Sequence, residues 1–147
     1  MRITWITMKQ KIVRTPSTAT FGDWNAMNAP PSLPNRIRLS QTSSEQLTLL
    51  KGKSGITPNI LARIAFSLSL KSGFNFRQLT PQSDGLEFNF GTLLGEHAQL
   101  YELLLLDDSN ATTSEELSRA MVSHIENGLS YLRASKSLNS LVGTILQ

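Results

Sequence analysis

A helix stop followed at once by a helix start divides the first half of the chain into two short helices. Gly55 is placed to take the left-handed conformation that ends a helix, and Thr57-Pro58 supplies an N-cap residue followed by a proline at the first helical position. Upstream, Thr42 to Glu45 fits a capping box with Thr42 as its N-cap residue. These signals predict one helix that ends near Lys53 and a second helix that ends near Lys71.

Two short segments alternate in a way that is typical of strands. Arg36 to Leu39 alternates basic and apolar residues, so in a strand the two arginines lie on one face and the two apolar side chains on the other. Leu86 to Phe90 alternates similarly and predicts a second strand whose three apolar side chains share a face. Both segments are short, so helices must supply most of the fold.

The second half of the chain carries apolar residues at helical spacing. From Thr92 to Leu105 they trace one wide stripe, which predicts a long helix that stops near Asp107. Thr113 to Glu116 forms a second capping box before a helix that runs to about Ala134, and Leu138 to Leu146 presents the apolar face of a last short helix. The predicted fold class is therefore mainly α: a small helical domain with a short N-terminal strand, a ribbon-helix-helix-like start and further helices.

The first 30 residues differ in composition from the rest. They are basic and rich in Thr, Ser, Pro and Asn, and their aromatic residues follow no helical or strand period. Pro30, Pro31 and Pro34 then interrupt regular structure. We therefore predict a basic, disordered extension over residues 1–30, which is dispensable for folding, and a single domain over residues 31–147.

Several classes of protein are excluded by what the chain lacks. Its 147 residues contain no cysteine, which excludes disulfide scaffolds, cysteine zinc sites, iron–sulfur clusters and thiol catalysis. Its longest uninterrupted apolar run is far shorter than the roughly 18 residues that span a bilayer, and it has no apolar core of a secretory signal. We expect a cytoplasmic protein.

Charge is segregated along the chain. Residues 1–77 carry 11 Lys and Arg against 2 acidic residues, a net charge of +9, whereas residues 78–147 carry 3 against 9, a net charge of −6. A basic half of this kind suits a polyanion, although helices that scatter charge unevenly produce the same split. The residues predicted to contact the phosphates of such a polyanion are Arg36, Arg38, Lys51, Lys53, Arg63, Lys71 and Arg77.

Three of these cations have a second interpretation. Lys51 and Lys53 fall at a helix C-terminus, where they meet the negative end of the helix dipole. Arg63 lies within a helix and could hold the fold through a carboxylate. Gly52-Lys53-Ser54 resembles the end of a phosphate-binding loop, but Leu47 stands where that motif needs glycine, so we reject nucleotide binding there.

No pattern of residues indicates catalysis. His97 and His124 are 27 residues apart with no cysteine nearby, so each is interpreted as a packed or surface imidazole rather than a metal ligand. The carboxylate pairs at residues 107–108 and 115–116 end one helix and cap another. No Ser/His/Asp spacing is apparent in the sequence. We therefore expect no metal, no cofactor and no catalysis by this chain.

The order of strand, helix, glycine turn and helix is that of ribbon-helix-helix DNA binders, whose strands pair between two chains and lie in a DNA groove. Within this order, the segments Leu33–Ser40 (LPNRIRLS) and Gly55–Ile60 (GITPNI) resemble the DndE family, and so do Leu94–Glu96 (LGE) and Leu100–Leu104 (LYELL). The resemblance covers about residues 32–147. Members of that family begin close to Leu33, so the 30-residue extension departs from its pattern.

The resemblance implies a role in the bacterial machinery that replaces a non-bridging phosphate oxygen of DNA by sulfur, a restriction-modification system. It implies a homo-oligomer, expected to be a tetramer, that binds double-stranded DNA with a preference for nicked duplex and leaves the sulfur chemistry to other subunits. Binding would then proceed through backbone phosphates. The alternative is a ribbon-helix-helix transcriptional regulator whose strand side chains read bases in the major groove.

Overall fold

The computed structural model describes residues 29–147, apart from the side chain of Leu138, and shows a mainly α fold. In chain order the elements are strand β1 (Arg36–Arg38), helices α1 (Gln41–Ser54) and α2 (Pro58–Ser72), strand β2 (Glu87–Asn89), and helices α3 (Phe90–Leu94), α4 (Ala98–Ser109), α5 (Ser114–Leu132) and α6 (Leu138–Leu146). The predicted fold class, with its strand-helix-helix start, is confirmed. The extension predicted for residues 1–30 lies almost entirely outside the described residues, so that domain boundary stays a prediction.

Strands β1 and β2 form a two-stranded antiparallel sheet within the chain. Arg36 pairs with Asn89, Ile37 with Phe88, and Arg38 with Glu87. Ile37 and Phe88 are buried and the flanking strand residues are exposed, as the alternation predicts. The prediction that Leu86 would share the buried face is wrong, because this side chain is 43% exposed just before β2.

Helix α1 starts two residues earlier than the capping box predicts. Its N-cap residue is Ser40, whose hydroxyl accepts a hydrogen bond from the Ser43 amide at 3.2 Å. Ser40 lies two residues after the end of β1 and still has extended backbone angles, so the helix begins immediately after it and Thr42 falls inside the first turn. The predicted end is confirmed: Gly55 has φ 75° and its amide donates to the Lys51 carbonyl.

The core is built mainly around the crossing of α2 and α5. Both helices bury an apolar face, and Leu61, Phe66, Met121 and Ile125 are almost completely inaccessible. At the crossing, Gly128 lies against the backbone of α2: an added Cβ atom would come within 1.7 Å of the Ala65 carbonyl oxygen. Only a residue without a side chain permits this approach.

The single long helix predicted from Thr92 is wrong. The segment contains α3, a 3₁₀ turn at Gly95–His97 and then α4, because Gly95 takes φ +61° and interrupts the helix. As a result the predicted apolar stripe is divided. Its members Leu93, Leu94 and Leu105 are buried, whereas Leu100 is 56% exposed and Leu104 is 44% exposed.

The last two helices agree closely with the sequence. Thr113 caps α5 by accepting a hydrogen bond from the Glu116 amide at 3.1 Å, and Glu116 in turn accepts one from the Thr112 amide at 2.9 Å. The helix ends at Leu132, two residues before the predicted Ala134. Within residues 29–147, no helix combines the length and the apolar character needed to cross a membrane.

Candidate nucleic-acid interface

The two arginines of β1 point outward and share one acidic partner. Arg36 Nη1 donates to Glu87 Oε1 and Arg38 Nη2 donates to Glu87 Oε2, both at 3.1 Å. The pair remains accessible, with side chains 69% and 49% exposed. The hydrogen bond from Arg38, followed by the charge and hydrogen bond of Arg36, lowers the pKa of Glu87 below its usual value. The predicted orientation of both arginines is confirmed, but no pattern in the sequence indicates their shared carboxylate.

A third arginine, which sequence reasoning missed, joins this pair. Arg119 of α5 lines the same cleft as Arg36 and Arg38, a hollow of about 390 Å³. It was overlooked because it lies in the acidic half of the chain. The sequence feature that could have indicated Arg119 is its position five residues after Ser114, near the start of a capped helix. A helix N-terminus favours anions, which an arginine at this position can contact.

Two of the predicted contact residues hold helix ends. Arg63 donates through Nε to the Leu93 carbonyl and through Nη2 to the Thr92 carbonyl, the latter at 3.2 Å. Arg77 donates to the Ser109 carbonyl at 3.2 Å. The acceptors belong to the last turns of α3 and α4, so each guanidinium satisfies carbonyls at the negative end of a helix. The predicted carboxylate partner of Arg63 is wrong.

The three predicted lysines are exposed at helix C-termini. Lys51 and Lys53 lie in the last turn of α1, and Lys71 lies in the last turn of α2. Within residues 29–147 no carboxylate comes within ion-pair distance of any of them. Because α2 begins where α1 ends and is about 20 Å long, Lys71 is separated from the two lysines of α1.

The predicted cations therefore form separate groups. Arg36 and Arg38 lie together beside β2, and Lys51 and Lys53 lie together at the end of α1. Arg63 and Lys71 line one shallow groove along α2. Helix α1 separates the first two groups by roughly 20 Å, the length of its 14 residues.

A polar network that is buried at Ser69 and His124 connects α2, α4 and α5. Ser69 Oγ lies 2.8 Å from His124 Nδ1, and His124 Nε2 lies 2.8 Å from Asp108 Oδ2. Asn127 Nδ2 donates to Ser69 Oγ at 2.9 Å. A Ser/His/Asp arrangement thus exists although no spacing in the sequence indicated one, because its members are 55 and 16 residues apart.

The burial of this network makes it a packing feature. Ser69 and His124 are both 0% exposed, so the hydroxyl cannot meet a substrate. Phe66 and Phe74 contact the imidazole edge to face, with ring centroids 5.7 and 5.6 Å away. The interpretation of His124 as a packed imidazole is confirmed, and His97, 64% exposed, is the surface imidazole. Among residues 29–147 no cluster of His, Asp and Glu is arranged to hold a metal ion.

One helix exposes an apolar face. Leu100, Leu103 and Leu104 of α4 are 56%, 64% and 44% exposed, and they lie together on the helix surface because their spacing is i, i+3 and i+4. On α6, Val142 and Leu146 are also exposed. Exposed apolar side chains grouped in this way are typical of an interaction surface.

Comparisons with known proteins agree on one family. The family described as "DNA sulphur modification protein DndE" matches residues 36–140. The crystal structure of DndE from Escherichia coli B7A, described as involved in DNA phosphorothioation modification, is 40% identical, with a TM-score of 0.64 over 69% of this chain and 97% of that one. A DndE G21/24K mutant structure is 38% identical, with a TM-score of 0.62 over 69% of this chain and 99% of that one. No curated protein sequence matches the chain.

Proposed function

Because the chain belongs to the DndE family of DNA sulphur modification proteins, we propose that it is the non-catalytic, DNA-binding subunit of a phosphorothioation system. It binds double-stranded DNA, with a preference for nicked duplex, through backbone phosphates rather than base edges. The observation that carries this proposal is the outward pair Arg36 and Arg38 on β1, exposed and fixed side by side.

The positions of the other cations support contact with a duplex. Lys51 and Lys53 form a second group of cations at the far end of α1, about 20 Å from β1, and this separation is more than half of the roughly 34 Å turn of duplex DNA. Lys71 adds a third exposed charge at the end of α2. Arg63 and Arg77 are bound to uncharged carbonyl groups, so they contribute to the positive field even where they do not touch a phosphate.

The proposal that the chain performs no catalysis rests on accessibility. Among the described residues, Ser69 is the hydroxyl that is hydrogen-bonded to a histidine, and it is completely buried. The sulfur chemistry then belongs to other subunits of the same machinery, which we propose as partners of this chain in the bacterial cytoplasm. Neither a metal nor a cofactor is part of the proposal.

The alternative, a ribbon-helix-helix regulator that reads the major groove, has less support. In such regulators the ribbon is formed by two chains, whereas here β1 is paired with β2 of its own chain. The guanidiniums of Arg36 and Arg38 are also bound to Glu87, which restricts their reach toward base edges.

The test of phosphate binding is a titration of intact and nicked duplexes of one sequence across a salt series. Affinity for both should fall steeply between roughly 50 and 200 mM salt, because bound phosphates release counterions. Replacing both Lys51 and Lys53 by Gln should weaken binding to every sequence alike and reduce the slope of log K against log salt by up to about 2.

Lys136→Gln is the matched control, since Lys136 is an exposed lysine outside the predicted set. It should leave the slope close to that of the unaltered chain. An affinity that does not change with salt contradicts the phosphate proposal, and strong preference for one intact sequence favours the regulator.

A further inference from the structure

The cleft that Arg119 shares with Arg36 and Arg38 has the composition of an anion site. Its two sides come from different elements: β1 supplies two arginines, and the start of α5 supplies Ser114, Ser118 and Arg119. A volume of about 390 Å³ falls within the range of roughly 300–1,000 Å³ that small-molecule sites occupy. The cleft is concave, so it suits a compact group that enters it better than the convex backbone of an unbroken duplex.

The charge around the cleft favours a strongly anionic group. Among the described residues, three arginines and one acidic residue, Glu115, line the cleft, and Glu87, which is bonded to two of those arginines, reduces the formal charge from +2 to +1. A phosphate monoester carries about −1.5 to −2 at neutral pH, whereas a phosphodiester in a DNA backbone carries one negative charge. A monoester is therefore attracted to the cleft more strongly than a diester is, because it carries the larger negative charge.

The donors of the cleft match phosphate geometry. Guanidinium groups present a planar fork that binds two phosphate oxygens at once. Ser114 and Ser118 add hydroxyl donors from the first turns of α5, where the helix dipole also favours negative charge. Ile37 and Val122 form apolar parts of the wall, which strengthen these interactions by lowering the local dielectric constant.

The arginines are held in place before any ligand binds. Glu87 accepts one hydrogen bond from each β1 arginine and is not itself part of the cleft lining. On the other side, the Arg119 guanidinium lies 5.6 Å from the centre of the Phe76 ring. Side chains that are already ordered lose less entropy on binding, so the cleft gains affinity from this arrangement.

We propose that this cleft binds a phosphate monoester, and that in the DNA complex the ligand is the terminal phosphate of a strand at a break. The assignment rests on the proposed DNA-binding function and adds to it a ligand and a residue, Arg119. A nick without a terminal phosphate would offer the cleft no dianion.

The experiment compares three duplexes of one sequence: intact, nicked with a 5′-phosphate, and nicked with a 5′-hydroxyl. The full chain should bind the phosphorylated nick about tenfold more tightly than the hydroxyl nick, the gain expected from a charge-assisted hydrogen bond. Arg119→Gln should abolish this ratio, and Arg119→Lys, which keeps the charge without the fork, should retain part of it. Arg133→Gln, which removes an exposed arginine next to the last turn of α5, should leave the ratio unchanged.

A second measurement separates the DNA-binding proposal from the cleft proposal, and binding of free phosphate from binding of a strand-terminal phosphate. Inorganic phosphate is titrated at constant ionic strength while the side-chain resonances of Arg36 and Arg38 are observed by NMR, with unchanged thermal melting showing that each variant is folded. Saturable binding that Arg119→Gln removes supports the cleft. Equal affinity for the two nicks, with salt-dependent DNA binding intact, overturns the DNA-end assignment and leaves the proposed function standing. Absence of DNA binding overturns the proposed function, and absence of phosphate binding overturns the cleft.

Discussion

A single carboxylate decides how the basic residues of β1 can act. Glu87 stands opposite Arg38 in the sheet and reaches both arginines, so their guanidiniums are fixed at the cost of one unit of positive charge. An exposed ion pair of this kind contributes little to stability. Its effect is on geometry: the two forks are presented together to whatever anion approaches this face.

At the same scale, the buried network gives a direct prediction about Ser69. Ser69 Oγ accepts a hydrogen bond from Asn127 Nδ2 and is hydrogen-bonded to His124 Nδ1, and His124 Nε2 is hydrogen-bonded to Asp108 Oδ2. Ser69→Ala removes the hydrogen-bond partner of the buried His124 Nδ1 and of the half-buried Asn127 amide, and should lower the free energy of unfolding by about 1–3 kcal/mol. Urea denaturation measures the change.

Ser67 offers a matched control on the same helix. Its hydroxyl donates to the Arg63 carbonyl from an exposed position, so Ser67→Ala should change stability by less than about 0.5 kcal/mol. Neither substitution should alter DNA affinity. Equal stability of the two variants would show that the network does not hold α2, α4 and α5 together.

The crossing of α2 and α5 carries the prediction at the scale of elements. Gly128→Ala places a Cβ atom against the Ala65 carbonyl, a backbone atom that moves only if the whole helix moves. We expect a loss of stability of about 1–3 kcal/mol or more, from overpacking at a helix interface. The melting temperature and the urea midpoint should both fall.

Gly143 supplies the comparison, because it also lies within a helix but nothing lies within 4 Å of its added Cβ atom. Gly143→Ala should stabilise the chain by about 0.5–1 kcal/mol through the lower entropy of its unfolded state. If the two substitutions have the same effect, the close approach of α2 and α5 is not a constraint.

Element boundaries also show which parts of the fold are predictable from sequence. The end of α1 and the bounds of α6 are set by local chemistry. The first is a glycine in the left-handed conformation, and the second is a nine-residue segment with one apolar face. The start of α1 was misplaced because Ser40 and Thr42 are both good cap residues, and the preceding strand decides between them. The break at Gly95 escaped notice because a glycine in an apolar stripe is compatible with a helix.

The candidate site was less predictable than the fold. Alternation alone shows that Arg36 and Arg38 face outward, since it is a local property. The partners Glu87 and Arg119 come from positions far along the chain, as do the carbonyls that bind Arg63 and Arg77. Charge counted along the sequence therefore identifies a basic half, but it does not show which of its cations are already hydrogen-bonded to other groups of the chain.

At the scale of the whole molecule, the exposed face of α4 predicts self-association. We expect an oligomer, with a tetramer as the expected state, in which this face is covered. Three neighbouring leucines are exposed on it, and burying such an apolar patch against another chain is favourable. Leu103→Glu should shift the sedimentation of the chain toward the monomer at micromolar concentration.

Gln99→Glu adds the same charge to an exposed position on the same helix and should leave the oligomer intact. Sedimentation of the unaltered chain as a monomer alone contradicts the oligomer. An oligomer that survives Leu103→Glu moves the interface away from α4.

The pairing of β1 with β2 has a consequence for how the chain folds. The ladder joins Arg36 to Asn89 and Arg38 to Glu87, and both contacts close a loop that contains all of α1 and α2. The entropy of closing a loop of that length is lost before the few ladder contacts form, whereas each helix forms from local contacts, so the sheet is expected to form late in folding. The ordered arrangement of the β1 arginines then exists only in the completed domain. Partly folded chains therefore cannot compete with the folded chain for the phosphate that the cleft binds.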